Sequence, residues 1–207
     1  MANFTLNWTP NINGNIISQQ AEYRKKSVGG GYITIGFTPS NPMSISETSA
    51  IITGLDNNVV YEFRIGNNCS EGGLVYDGII KEGLKFGCVA PTEIHTPSSI
   101  QASVSGLPVD ITKVVFRLYD SAGTSLLSGP TTVNTASGSA TNNFTGLTSS
   151  TTYRVRVELV AIVGGVEVTS TMNNCELVVN TDTQNSFFLN ENNDSLLINN
   201  SDNLTIQ

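Results

Sequence analysis

The chain has 207 residues with one histidine and three cysteines, so the side chains that most often act as nucleophiles, bases or metal ligands are scarce. His95 lies in PTEIHTP, between two prolines. A lone histidine excludes multi-histidine metal centres, and no nucleophile and carboxylate are spaced around it as a Ser-His-Asp triad would need. It reads as a solvated residue of a linker. Cys69, Cys88 and Cys175 lack C-x-x-C spacing. An odd, irregular set argues against a secreted disulfide framework. Buried free thiols are the plain reading, and a Cys69–Cys88 pair is the alternative if the two end neighbouring strands. Free thiols imply synthesis in a reducing cytoplasm. The glycine clusters at 29–31, 72–73 and 164–165 open no helical pattern, so they read as turns rather than phosphate cradles. Nothing nominates a carboxylate pair for glycoside hydrolysis. Glu191, Asp194 and Asp202 recur in the C-terminal stretch, but without the glycine-rich nonapeptide of calcium-binding repeats. The expectation is a chain with no catalytic, cofactor or metal site.

The formal net charge is −7, and charged residues make up only 13% of the chain. An acidic surface with scattered Lys and Arg offers no footprint for a nucleic-acid backbone or an anionic membrane. The start, MANFTLNWTP, lacks the basic region and apolar core of a signal peptide. No apolar run approaches the roughly 20 residues of a spanning helix. Asn, Ser, Thr and Gly supply the polarity, which favours strands and turns over helices.

The elements that would position any site are strands. Phe4, Leu6 and Trp8 alternate with polar residues, as do Ala21 and Tyr23, Ile33, Ile35 and Phe37, and then Tyr61, Phe63 and Ile65. LVYDGII reads as a strand returning after Gly72-Gly73. The second half repeats the order: Ile100, Ala102 and Val104 share one face, and Val114, Phe116 and Leu118 another. Asp120–Gly123 is a turn, and a long alternating run ends at Gly164-Gly165 before VEVTS. Period-two alternation punctuated by turn residues, with no helical stretch between, predicts antiparallel sandwiches.

One pattern occurs twice. Residues 52–65 read ITGLDNNVVYEFRI and residues 144–157 read FTGLTSSTTYRVRV. An offset of about 90 residues is domain-sized and too long for a solenoid unit. A Gly-Leu step, a short connection and a Tyr opening the next strand describe a tyrosine corner. Leu55 and Leu147 would plug the core ends, while Tyr61 and Tyr153 would bond a backbone group of the crossing.

At these residues the chain resembles the fibronectin type III family. Trp8 matches the early core Trp of that family, Tyr23 its third-strand Tyr, and Leu55, Tyr61 and Phe63 its corner. The second copy matches at Leu147, Tyr153 and Val155 and has no Trp. The resemblance implies an all-β fold of two tandem sandwiches that act as spacers or binding modules. It also implies a strand ahead of the Trp-bearing one, for which the residues before Trp8 leave no room. The first sandwich is thus expected to expose an unpaired edge. The expected organisation is a first sandwich over 1–90, a proline-containing linker over 91–97, a second sandwich over 98–181 and a docking tail over 182–207.

That tail has a period of eight: Phe188, Leu196 and Leu204 align, as do Asp194 and Asp202. Each unit is a short apolar strand with an Asn/Asp turn and cannot bury its own apolar face. The tail resembles the short Leu-Leu-x-Glu-Asn-Gly-Asp repeats near the C-termini of tailed-phage virion proteins. The resemblance implies a non-enzymatic virion component, associated with the capsid or tail and made in the host cytoplasm. Its partners would be other virion proteins and copies of itself. Phe4, Leu6, Phe187, Phe188, Leu196, Leu197 and Ile198 are the candidate contacts. The alternative is an adhesion or carbohydrate-binding module, with Tyr32, Tyr76 and Tyr119 as the aromatic residues that could face outward.

Overall fold

The computed structural model describes residues 2–10, 14–76, 78, 80–171, 175–184, 186–189 and 195–198, with Ala2 and the last two segments described by backbone alone. All its regular structure is β. The first half contains β1 (Ala2–Asn7), β2 (Ile16–Lys25), β3 (Phe37–Thr38), β4 (Ser49–Leu55), β5 (Val60–Cys69), β6 (Leu74–Tyr76) and β7 (Lys81–Leu84). The second contains β8 (Thr92–Thr96), β9 (Ser99–Val104), β10 (Ile111–Tyr119), β11 (Leu126–Asn134), β12 (Ala140–Thr145), β13 (Thr152–Val163), β14 (Val166–Thr169) and β15 (Glu176–Asn180). A terminal pair, β16 (Ser186–Leu189) and β17 (Ser195–Ile198), follows.

The halves are built alike. In the first, the sheet β1-β4-β3 faces a sheet in which β5 pairs β2 on one side and β6 and β7 on the other. In the second, β12-β9-β8 faces a sheet in which β13 pairs β10 on one side and β14 and β15 on the other, with β11 beyond β10. Every pair is antiparallel. The chain is two tandem antiparallel β-sandwiches, each with its own core. Leu6, Ala21, Phe37, Ile52, Tyr61 and Phe63 lie in one, and Ile100, Val114, Phe116, Leu118, Val155 and Val157 in the other. Period-two alternation explains the inward sets, because successive side chains of a strand point to opposite faces.

The two corners share one geometry. The Tyr61 hydroxyl accepts the Asp56 N–H at 3.1 Å, and the Tyr153 hydroxyl accepts the Thr148 N–H at 3.0 Å. Each bond pins a crossing from one sheet to the other and supplies a partner for a backbone donor. Leu55 is buried beside the first corner, and Leu147 packs half-buried against the second core.

Three sequence expectations need correcting. Residues 92–96, read as linker, form β8 and pair with β9. The prolines of PTEIHTP sit at 91 and 97, just outside the strand, so they bound it rather than break it. Residues 33–37, read as one alternating strand, form only an isolated bridge from Ile33 to Tyr23 and the short β3. Ile33 and Ile35 are exposed there, because Gly36 takes a positive φ of 87° that ends any regular run. Finally, Cys88 is bonded to Cys175 with a Cα–Cα distance of 5.3 Å, and Cys69 alone stays free. Spacing in sequence could not show that the two sandwiches bring 88 and 175 together. With this bond, the cysteine count no longer argues for a reducing compartment.

The sandwiches meet at a bonded junction. The Asp110 carboxylate, before β10, accepts the Val60 N–H at 3.0 Å and the Ser27 hydroxyl at 3.3 Å. The Glu82 carboxylate on β7 accepts the Gly164 N–H at 2.8 Å and pairs with Lys26 at 2.8 Å. Gly164 and Gly165, both at positive φ, make the tight β13–β14 turn that presents this N–H. Leu84, Phe86 and Val89, from the end of the first half, pack against the second core.

Candidate functional site

His95 lies on β8, where its Nδ1 is 2.6 Å from Glu93 and its Nε2 is 3.2 Å from Asp182. The residue is not a solvated linker side chain, since both ring nitrogens face carboxylates. Neither nitrogen is left to activate a nucleophile, so the arrangement is an ion-pair clasp rather than the core of a triad. Chiefly through the hydrogen bond to Glu93, and also through Asp182, its pKa is raised above the usual histidine value. The clasp joins β8 to Asp182, the residue after Thr181, at the point where the tail leaves the second sandwich. Among the described residues no group of His, Cys, Asp and Glu is arranged to hold a metal ion. Among them, too, no helix is long and apolar enough to cross a membrane. Glu191, Asp194 and Asp202 lie outside the described residues.

The outward tyrosines are occupied. The Arg64 guanidinium lies between Tyr32 and Tyr76, 3.6 Å and 3.8 Å from their ring centres, and Arg24 lies 4.6 Å from Tyr32. Arg156 covers Tyr119 at 4.5 Å. These are cation–π contacts within the protein, and they cover ring faces that a sugar would stack on. Glu22 anchors the first group by accepting from Arg64 and Tyr76 at 2.7 Å and 2.8 Å. Burial would raise the Glu22 pKa, but hydrogen bonds from Tyr76, Arg64 and Gln20 outweigh it and hold the carboxyl below its ordinary range.

The open features lie at the N-terminal strand. β1 pairs β4 and no other strand among the described residues. Its counterpart in the second sandwich, β9, pairs both β12 and β8. Among the described residues, therefore, no strand lies on the outer edge of β1 where β8 lies on β9. Phe4 and Leu6 do not offer their side chains at that edge. Leu6 is 3% exposed in the core, and Phe4 stacks on Phe63 with ring centres 4.8 Å apart. Gly83 permits that stack, because a Cβ there would come within 2.4 Å of the Phe4 ring. What β1 presents to a partner is peptide groups.

A cavity of about 130 Å³ opens between Leu6 and Trp8 on one side and Phe63 and Ile65 on the other, with Lys81 at its border. Trp8 is half-buried and donates its indole N–H to the buried Gln19 at 2.6 Å. Lys81 donates to the Asn7 carbonyl at 2.7 Å, so β7 borders the opening opposite β1.

The tail strands β16 and β17 pair with each other, Phe187 opposite Leu197 and Phe188 opposite Leu196, and form a sheet of their own. The side chains of Phe187, Phe188, Leu196, Leu197 and Ile198 lie outside the described residues.

No family model matches the chain, and no curated protein does. Solved structures that resemble it include a two-domain fibronectin type III segment of chicken tenascin, at 14% identity and a TM-score of 0.46, covering 86% of this chain and 92% of that one. The FN1-FN3 domains of chicken CNTN1 align at 15% identity and a TM-score of 0.35, covering 90% of this chain and 67% of that one. The chicken interferon gamma receptor alpha chain aligns at 14% and 0.37, covering 86% and 91%.

Proposed function

We propose that the chain is a non-enzymatic structural strut of a tailed-phage virion that docks into a symmetric assembly through its two ends. The observation that carries this reading is the contrast between middle and ends. The middle is closed: two cores, a junction bonded through Asp110 and Glu82, and a Cys88–Cys175 bond. The ends carry the open pairing capacity: among the described residues, β1 has a strand on one side alone and the tail strands β16 and β17 pair with each other. The eight-residue repeat and its likeness to virion tail repeats supply the virion part of the reading. The partners are other virion proteins and further copies of the chain, with no nucleic acid and no membrane. Synthesis is in the host cytoplasm.

The glycan-binding alternative is disfavoured by the arginines over Tyr32, Tyr76 and Tyr119. Mass spectrometry of gradient-purified particles tests the strut reading. The chain should co-purify at a fixed ratio to the major capsid or tail protein. Its absence from particles, or selective binding on a glycan array, overturns the reading.

A further inference from the structure

We infer that the bare edge of β1 is an acceptor for the C-terminal hairpin, β16–β17, of a second copy of this chain, which adds to the first sandwich the strand that β8 supplies to the second. The inference rests on the strut reading and names the partner of its open edge.

The internal repeat gives the template. β8 lies on β9 as an antiparallel strand of five residues, Thr92 opposite Ser103 and Thr96 opposite Ser99, and packs beside β15. The equivalent position in the first sandwich lies along β1 and beside β7, where the cavity between Leu6, Trp8, Phe63 and Ile65 opens. A strand added there pairs with the outward peptide groups of β1, taking over the Asn7 carbonyl that Lys81 now bonds. The cavity beside that edge, about 130 Å³ and lined by Leu6, Trp8, Phe63 and Ile65 together with the polar Asn7, Thr9, Arg64 and Lys81, leaves room for such a strand. The occupant must therefore be a short apolar strand without a docking site of its own. β16 and β17, SFFL and SLLI, are four residues each and pair only with each other among the described residues. Residues 183–207 contain Glu191, Asp194 and Asp202 and no Lys or Arg, which suits an edge bordered by Lys81.

Reach makes the contact intermolecular. The tail leaves the second sandwich at its corner, where Thr181 and Asp182 bond Thr151 and Ser150. The junction with the first sandwich is at the other end of β13, beside Gly164. The twelve residues of β13 separate these ends by about 40 Å. The six steps from Asn180 to Ser186 span at most about 22 Å. β16 cannot reach the β1 of its own chain, so the pairing runs head to tail between copies. Such a contact is heterologous, closing into a ring or extending as a filament.

The test uses the full chain, the variant Phe187→Asp/Leu197→Asp, and a synthetic peptide of residues 182–207. Light scattering should show wild-type oligomers that grow with concentration, and the variant should remain monomeric with an unchanged circular dichroism spectrum. Peptide added to the variant should slow amide exchange of Thr5 and Asn7, whose N–H groups point away from β4, at least tenfold while leaving β9 unaffected. Three results overturn the pairing: a variant that assembles like wild type, a peptide that leaves the Thr5 and Asn7 amides unprotected, or full protection of those two amides in the monomer without peptide. Recovery of the monomeric protein in purified particles would then leave the strut reading standing, so the two failures are distinguishable.

Discussion

The Asp110 carboxylate of the second sandwich accepts the backbone N–H of Val60 in the first at 3.0 Å. Val60 opens β5 directly beside the Tyr61 corner, so the latch of one module is the docking point of the next. Asp110→Ala leaves that half-buried N–H without its charged acceptor and costs about 1.5–3 kcal/mol of junction stability. Both sandwiches should stay folded while their relative motion increases. NMR relaxation should show the two modules tumbling less as one body in the variant than in wild type.

Glu82 adds a pH response to the same junction. Hydrogen bonds from Lys26 and from the Gly164 N–H hold its pKa below the usual glutamate value, against the opposing effect of burial. A carboxyl depressed in the folded state stabilises at pH above its unfolded value, and that stability is lost as pH falls through the folded value. Acidification below about pH 4.5 should therefore loosen the junction in wild type. Glu82→Gln should show the looser junction already at neutral pH and little further change. Small-angle scattering profiles recorded across the titration distinguish the two.

His95 has the opposite sign. Its pKa is raised by Glu93 first and by Asp182 as well, so its contribution is complete below the unfolded value near 6.5 and is lost as pH rises through the folded value. As pH rises through that folded value, the clasp to Asp182 should release the root of the tail. The imidazole resonances should titrate above pH 6.5, and in Asp182→Asn the midpoint should fall towards it. A midpoint below 6.5 in wild type would show that the clasp does not form.

Tyr61→Phe and Tyr153→Phe should each cost about 0.5–1.5 kcal/mol, the net value of one such hydrogen bond. Each loss should fall on its own sandwich. Exchange of β2 and β5 amides should quicken in the first variant, and exchange of β10 and β13 amides in the second.

Cys175→Ser removes a crosslink between residues 87 positions apart and should destabilise the second sandwich by about 2–4 kcal/mol. Thermal unfolding with and without reductant checks this, because reductant should bring wild type to the variant's midpoint and leave the variant unchanged.

The all-β architecture was legible because its signals are local. Alternation at Val114, Phe116 and Leu118 reports a face within five residues, and the Asp56–Tyr61 bond also spans five. What escaped is non-local. Nothing near Cys88 names Cys175, and nothing near Asp110 names Val60. The pattern YITIGF alternates correctly, yet Gly36 and the nearby prolines send it away from the sheet, leaving Ile35 75% exposed. PTEIHTP misled for the reverse reason: prolines at its borders read as a stiff linker, while the residues between them found β9. At the candidate site, β1 is legible from the alternation of Phe4, Leu6 and Trp8, whereas the cavity beside it is lined by residues that only the fold brings together.

The Cys88–Cys175 bond encloses β8 through β14 in one covalent loop, so nearly the whole second core sits inside a closed ring of chain. A protease that nicks any turn between those cysteines cuts the polypeptide without releasing a fragment. Such a clipped chain would run as a single band on a non-reducing gel and as two after thiol treatment, with its two ends still joined.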